Sequence, residues 1–495
     1  MYKIMSKIPD NIRRHRLPGT EIKPVGNNFY LYKVSCKWDR EQHKYRKQNL
    51  GYIGRVTEDG VIEAHHRDGR TASIPVAASY SLEFGATWLL RMVGQDILDN
   101  LKKHFGQDAE WIYAVAMLRT ARHCAFRYIE HYYQVSYLSV TMHGLSLSPG
   151  NLSNRMEQLG ARRSAMVSFM KEYVPSGSFY AIFDGTSIVC NSGRIHDAQR
   201  GYNSHGCHDP QVNLMYALAV EGEKVCPVFY KSYPGSVRDV SAFRNMMREM
   251  GIETAVVLAD KGFYSEGNGE ELDTQGIPYI MPLRRNSLEY DREPLNRPGT
   301  TGFDGRFMYN GRIIWYRAQP PAEGRTHRYF LYLDETLRHM EATGRMTGKI
   351  GRETAEEIKE IQEAQLLFGT FAVKSTLLDV GAEDTYRLYK TREDVEQLFD
   401  TYKEEENFKT TGMHSRESME ATFFLNHIST MLTYKLYERL RLHKSLDRYA
   451  ASKLCDILWD VRATNAGPQW QLEPIPKVSR KAIMAVGFQP PTTLS

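Results

Sequence analysis

Three acidic residues stand in settings that suit ligation chemistry. Asp184 ends an apolar stretch, AIF, and Asp260 ends another, VVLA. Both carboxylates are therefore expected at strand ends, where a sheet exposes its ligating groups. An aspartate in that place also serves simply to cap the following turn, and either residue alone is open to that reading. The third acid, Glu396, lies in YKTREDVEQLFDTYK at 389–403, a helical pattern that puts Tyr389, Arg392, Glu396 and Lys403 at offsets of zero, three, seven and fourteen. At about 3.6 residues per turn these four fall on one stripe. Val395, Phe399 and Tyr402 make an adjacent apolar stripe with Leu388, so the helix can pack on a core and present the polar row beside it. A surface helix with intrahelical Arg–Glu pairing would read the same way.

The elements that must position these acids can be read from hydrophobic periodicity. Between 178 and 284 the order is strand, strand, strand, helix, strand, short helix, strand: SFYAIFDGTSIVC, QVNLMYALAVEG, KVCPVFYKSY, DVSAFRNMMREMG, ETAVVLADKGFYS, a polar helix near 266–275, and IPYIMPLRR. Three strands on short loops suggest an antiparallel meander, and the strand–helix–strand pieces suggest parallel additions, so a mixed α/β sheet of the ribonuclease-H-like kind is expected. Residues 285–388 interrupt this order with strand-like pieces (GRFMYNGRIIWYRAQ, HRYFLYLDE, LFGTFAVKST) around a charged helix. An insertion domain of about 100 residues, mostly β, is the simplest account. The expected division is 1–83, a basic β-rich N-terminal region; 84–175, a helical linker or DNA-binding region; 176–284, the first part of the core; 285–388, the insertion; 389–435, the second part with the Glu396 helix; and 436–495, a helical C-terminal region. Within 84–135, Leu89, Leu90, Met92, Ile97, Leu98 and Leu101 recur at three- and four-residue steps and are candidates for a buried helix face.

The chain resembles bacterial insertion-sequence transposases of the DDE superfamily, in the branch whose catalytic glutamate lies in a Tyr-Arg-Glu-Lys signature. Tyr389, Arg392, Glu396 and Lys403 match that signature, IFDGTS and VVLADKGFYS resemble the two aspartate motifs, and SYPGSVRDV at 232–240 resembles the loop after the third strand. The resemblance covers 178–284 and 365–435. It implies that Asp184, Asp260 and Glu396 are catalytic metal ligands for two Mg²⁺ (or Mn²⁺) ions, with Asp184 bridging both. Such ions, roughly 4 Å apart, stabilise the attacking and leaving oxygens of an in-line displacement at phosphorus, and hard carboxylate oxygens suit them. It also implies that Arg392 and Lys403 contact phosphates of the transposon end with Tyr389 on the same surface, as a guanidinium fork and a point charge can. Cut-and-paste transposition through hairpin ends would follow, on double-stranded DNA carrying terminal inverted repeats and on target DNA, in a homodimeric synaptic complex. Related enzymes hold a flipped base with an aromatic of the insertion, where this chain has Trp315; a tryptophan in a strand such as IIWYR also packs ordinarily on a core.

Bulk properties agree with a DNA-acting protein and exclude other classes. The composition, 42% hydrophobic and 25% charged, is that of a soluble globular chain, without an apolar run near membrane-spanning length. The first residues lack a signal-peptide pattern, so a cytoplasmic, nucleoid-associated location is expected. Net charge is only +5, but residues 1–70 hold fifteen Lys and Arg against eight acids, an excess greater than that of the whole chain. Within them, 27–64 alternates aromatic or aliphatic with basic residues and reads as a small sheet with a basic face. The six cysteines (36, 124, 190, 207, 226, 455) include no CxxC pair, and His205, Cys207 and His208 lack a second ligand cluster at zinc-site spacing. Two competing functions remain. DGT also occurs in haloacid-dehalogenase phosphatases and actin-like sugar kinases, but the first need an aspartate where Thr186 or Ile182 stands, and the second a different glycine spacing. The other is a catalytically silent DNA-binding protein derived from a transposase.

Overall fold

A computed structural model describes residues 8–26, 28–39, 44–63, 80–176, 179–190, 192–200, 209–221, 224–236, 239–251, 255–258, 266–321, 327–347, 364–392, 413–465 and 469–494. The chain divides into two compact units, Met1–Ala78 and Ser79–Ser495.

The first unit is an antiparallel sheet of β1 (Thr20–Val25), β2 (Asn28–Asp39), β3 (Lys44–Thr57) and β4 (Gly60–Glu63), in that order. Strand alternation puts Ile22, Leu31 and Val56 on one face, where they bury against Ile12 of the short helix Asp10–Arg13. The small sheet expected in 27–64 is thus present, and its strands begin earlier, at Thr20.

In the second unit, β5 (Tyr80–Glu83) pairs with β15 (Arg462–Asn465), which pairs with β16 (Trp470–Leu472). Among the described residues the main sheet has nine strands: β6 (Tyr180–Val189), β7 (Gln211–Glu221), β8 (Lys224–Pro234), β9 (Val256–Leu258), β10 (Tyr279–Leu283), β11 (Gly305–Tyr309), β12 (Arg312–Gln319), β13 (Arg328–Asp334) and β14 (Thr370–Ser375). Its order is β11-β12-β13-β14-β10-β9-β6-β7-β8. The directions follow from the connections. β6, β7 and β8 form an antiparallel meander. The helix Asp239–Met250 carries the chain across a face, so β9 returns parallel to β6, and the helix Glu266–Thr274 does the same between β9 and its parallel neighbour β10. This mixed α/β sheet is consistent with the ribonuclease-H-like architecture expected from the sequence. The described strands of 285–388 join the main sheet. β14 pairs antiparallel with β10, and β13, β12 and β11 continue the main sheet outward.

The two sheet faces belong to different cores. On one lies the helix Arg416–Leu442, buried over most of its circumference and sharing a core with the helices Gly85–Val93, Gln95–Phe105, Ala109–Arg122, Pro149–Gly160 and Arg163–Lys171. Ser415 caps it, its hydroxyl accepting from the Ser418 amide at 3.1 Å. Leu89, Leu90, Ile97, Leu98 and Leu101 are buried there as their spacing predicts, whereas Met92 is exposed: Gly94 ends the first helix, and the face turns with the new one. A charged network fastens β8 to its helices. Arg163 donates to Glu249 (3.4 Å) and the Tyr230 carbonyl (2.9 Å), lies 3.6 Å from Glu420, and Glu249 also pairs with Lys231 (2.9 Å). Among the described residues no helix is long and apolar enough to cross a membrane.

Candidate active site

Asp184 occupies the middle of β6, opposite Tyr216 of β7. On its other side β6 meets β9 in parallel, with Tyr180 against Val256, Ala181 against Val257 and Ile182 against Leu258. Ile182 is two residues before Asp184, and Leu258 is two residues before Asp260. The chain thus approaches both aspartates along adjacent, parallel, equally registered paths. Asp260 itself lies outside the described residues, as do Glu396 and Lys403 of the helix signature and His205, Cys207 and His208. Among the described residues no three His, Cys, Asp or Glu side chains gather as a metal site.

The helical segment leading towards Glu396 is described over 382–392. Tyr332 donates to the Ala382 carbonyl at 2.7 Å, holding its first turn. Tyr386 then packs among Phe307, Tyr309 and Tyr332 at ring separations of 4.9–5.3 Å, and Tyr389 lies 4.7 Å from the Phe371 ring. Those aromatic partners come from β11, β13 and β14. The strands between the two halves of the core are therefore the floor on which this helix rests. The side of the helix turned inward differs from the sequence reading. Leu388 is only partly buried, while Tyr389 and Arg392 are 1% and 3% exposed, with the Arg392 guanidinium 5.8 Å from the Tyr389 ring. The aromatic floor recruits Tyr389 because a ring buries more apolar area than its one hydroxyl costs to accommodate. Trp315, in β12, stands opposite Arg306 and Leu333, with the Arg306 guanidinium 5.2 Å from its ring.

The segments converge. Ile182, Leu258, Tyr386 and Tyr389 belong to one hydrophobic cluster on one side of the sheet. At the far end of β6, the loop after β8 closes on β7. Gly235 sits so near the Gln199 and Gln211 carbonyl oxygens that an added Cβ would lie 2.3 Å from each, so this position of the SYPGSVRDV loop requires glycine. Its carbonyl accepts from Asn213, which in turn takes the Ser187 hydroxyl at 3.1 Å.

Residues 180–432, just over half of the chain, match the family described as transposase DDE domain. The chain belongs to the DDE transposase family. The match opens on the first residue of β6 and closes within the helix Arg416–Leu442, so it takes in the entire nine-stranded sheet, including β11–β14. No curated protein matches the chain. Membership makes this an enzyme of transposition that cleaves and transfers strands of DNA, and DDE transposases use divalent metal ions. The donors at issue, carboxylate oxygens approached along paired strands, are of the hard type that such ions prefer. The floor of aromatic residues under the 382–392 helix was missed by reading the sequence. Its one signal was the density of Tyr and Phe in GRFMYNGRIIWYRAQ, HRYFLYLDE and LFGTFAVKST.

Proposed function

We propose that this DDE transposase performs cut-and-paste transposition through hairpin ends, with Asp184, Asp260 and Glu396 as the catalytic carboxylates, as in the Tyr-Arg-Glu-Lys branch. The supporting observation is the convergence of Ile182, Leu258 and Tyr389, each a few residues before one of the three acids, in a single core cluster. Two residues of chain span about 7 Å at most, which keeps Asp184 and Asp260 close to the paired ends of β6 and β9. The three carboxylates would hold two Mg²⁺ (or Mn²⁺) ions, which supply charge stabilisation to the attacking and leaving oxygens. Asp184, on β6 between β9 and β7, would serve both. Arg392 and Lys403 orient phosphates of the transposon end. Arg392 is 3% exposed, so its engagement with a phosphate requires its surroundings to open. Tyr389 positions the helix by packing on Phe371. A homodimer brings two ends together, and the basic N-terminal unit adds DNA contacts.

The test is cleavage of a duplex bearing the end of the encoding element, with Mg²⁺, by the parent and by Asp184→Asn, Asp260→Asn and Glu396→Gln. Loss of cutting in all three with DNA binding retained is the expected result, together with a hairpin product from the parent. A variant that still cuts removes that acid from the site. Open double-strand ends without a hairpin at any time remove the hairpin route, and a parent that binds without cutting restores the silent DNA-binding alternative.

A further inference from the structure

We propose that the β2–β3 hairpin of the N-terminal unit is an arm that enters a groove of duplex DNA, with Trp38 and Tyr45 as the contact at its tip. The proposal rests on the transposase reading only for the identity of the partner as DNA.

The sheet is unequal in length. β1 pairs with β2 only as far as Lys33, and β4 pairs with β3 only from Gly54 onward. Beyond those limits the only strand pairing among the described residues is between Val34–Asp39 and Lys44–Asn49, from Val34 opposite Asn49 to Asp39 opposite Lys44. Six residues of strand at about 3.4 Å each make a ribbon about 20 Å long. Register shifts between Leu31 and Tyr32 and between Lys33 and Val34 mark its root. Irregularities of this kind bend a strand pair and re-aim it.

Among the described residues no third layer covers this two-stranded ribbon. Its sequence nonetheless spends large aromatic residues at the tip. Trp38 and Tyr45 are directly opposite, 4.9 Å apart edge to face, and remain 46% and 72% exposed. Around them the register places Lys37 opposite Arg46, Cys36 opposite Lys47 and Asp39 opposite Lys44, four cations to one acid. Lys47 is held by Glu21 of β1 at 2.6 Å, so the charge is tied back to the sheet on that side. Towards the root, Tyr32 lies 5.4 Å from Tyr52 with the Lys23 ammonium 5.1 Å from the Tyr32 ring, continuing the alternation of aromatic and basic groups.

Charge complementarity chooses the occupant. A cationic ribbon suits a polyanion, and the major groove is wide enough for a two-stranded β-ribbon. The cations would set the arm on the phosphates, and the Trp38–Tyr45 pair would pack against base edges at the groove floor.

The experiment uses the full chain and a mixed-sequence 30-bp duplex, with a single strand of the same sequence alongside, titrated across a range of salt. For Lys37→Gln/Arg46→Gln, loss of two phosphate contacts should flatten the slope of log K against log salt by about 1.8, at about 0.9 per contact. Trp38→Ala/Tyr45→Ala should weaken duplex binding about tenfold with its slope unchanged, and Trp38→Phe/Tyr45→Phe should retain it. If the alanine pair alone fails to fold, as judged by circular dichroism, the glutamine and phenylalanine pairs still decide the matter. Slopes and affinities equal to the parent's overturn the arm. So does a loss confined to the single strand, which would make the ribbon a stacking platform instead. Asp184→Asn in the same titration should bind like the parent, so a failure of the carboxylate assignment shows in cleavage and a failure of the arm in binding.

Discussion

Replacing Glu83 by glutamine should make the protein more stable at alkaline pH and leave it nearly unchanged at acidic pH. Glu83 ends β5 and is fully buried, and it caps the helix Gly85–Val93 from the preceding strand. Its carboxylate accepts from the Ala86 amide (2.6 Å), the Thr87 amide (3.1 Å) and the Thr87 hydroxyl (3.0 Å). Those bonds and Arg462 favour the charged form, but desolvation outweighs them, and the pKa is pushed up from 4.5 to about 7. A raised folded pKa means that the folded chain holds the proton more tightly than the unfolded chain. The associated stability is complete below the unfolded value and is lost as pH rises through the folded one. A rise from 4.5 to about 7 amounts to about 3 kcal/mol, most of which falls between pH 5 and pH 8. Glutamine keeps an acceptor oxygen for the helix amides and cannot ionise. Melting of parent and Glu83→Gln should therefore nearly coincide at pH 5 and separate by several degrees at pH 8, with the variant higher. The comparison cancels every other titrating group. A separation that is constant across this range, or one that grows towards acid, would refute the argument that desolvation dominates at Glu83.

His427 should behave with the opposite sign. It is buried on the helix Arg416–Leu442 beside the rings of Tyr216 and Tyr230, and burial together with nearby Arg163 lowers its pKa from 6.5 to about 3. Its contribution is present above pH 6.5 and is lost as pH falls, by about 2 kcal/mol between pH 7 and pH 5, and His427→Phe should remove that acid sensitivity in the same melting assay. Tyr389→Ala should lower melting temperature and end-cleavage together, at a cost of about 3–5 kcal/mol for a buried ring. A residue acting only at a DNA surface would lose cleavage with melting unchanged.

The sequence by itself determined the local elements and their order. Each strand and helix from 178 to 284 was legible because alternation at period two and recurrence at three to four residues are properties of a few neighbouring side chains. The same is true of the cation excess at the N-terminus, whereas Asp184, expected at a strand end, lies mid-strand because β6 runs on to Val189 in pairing with β7. Tertiary structure decided what distant residues do to one another. Nothing near Ile182 announces that Leu258 will lie beside it, because strand pairing is chosen by the whole set of crossovers. The strands of 285–388 could have closed on themselves, yet β14 found the open edge of β10, where unpaired backbone groups offered a template. That choice put an aromatic floor under the 382–392 helix and turned Tyr389 inward, against the amphipathic reading of its own segment. The proton affinities of Glu83 and His427 belong to the same class. A carboxyl or imidazole has its ordinary pKa until chain folded from elsewhere takes its water away, and that chain is specified hundreds of residues distant.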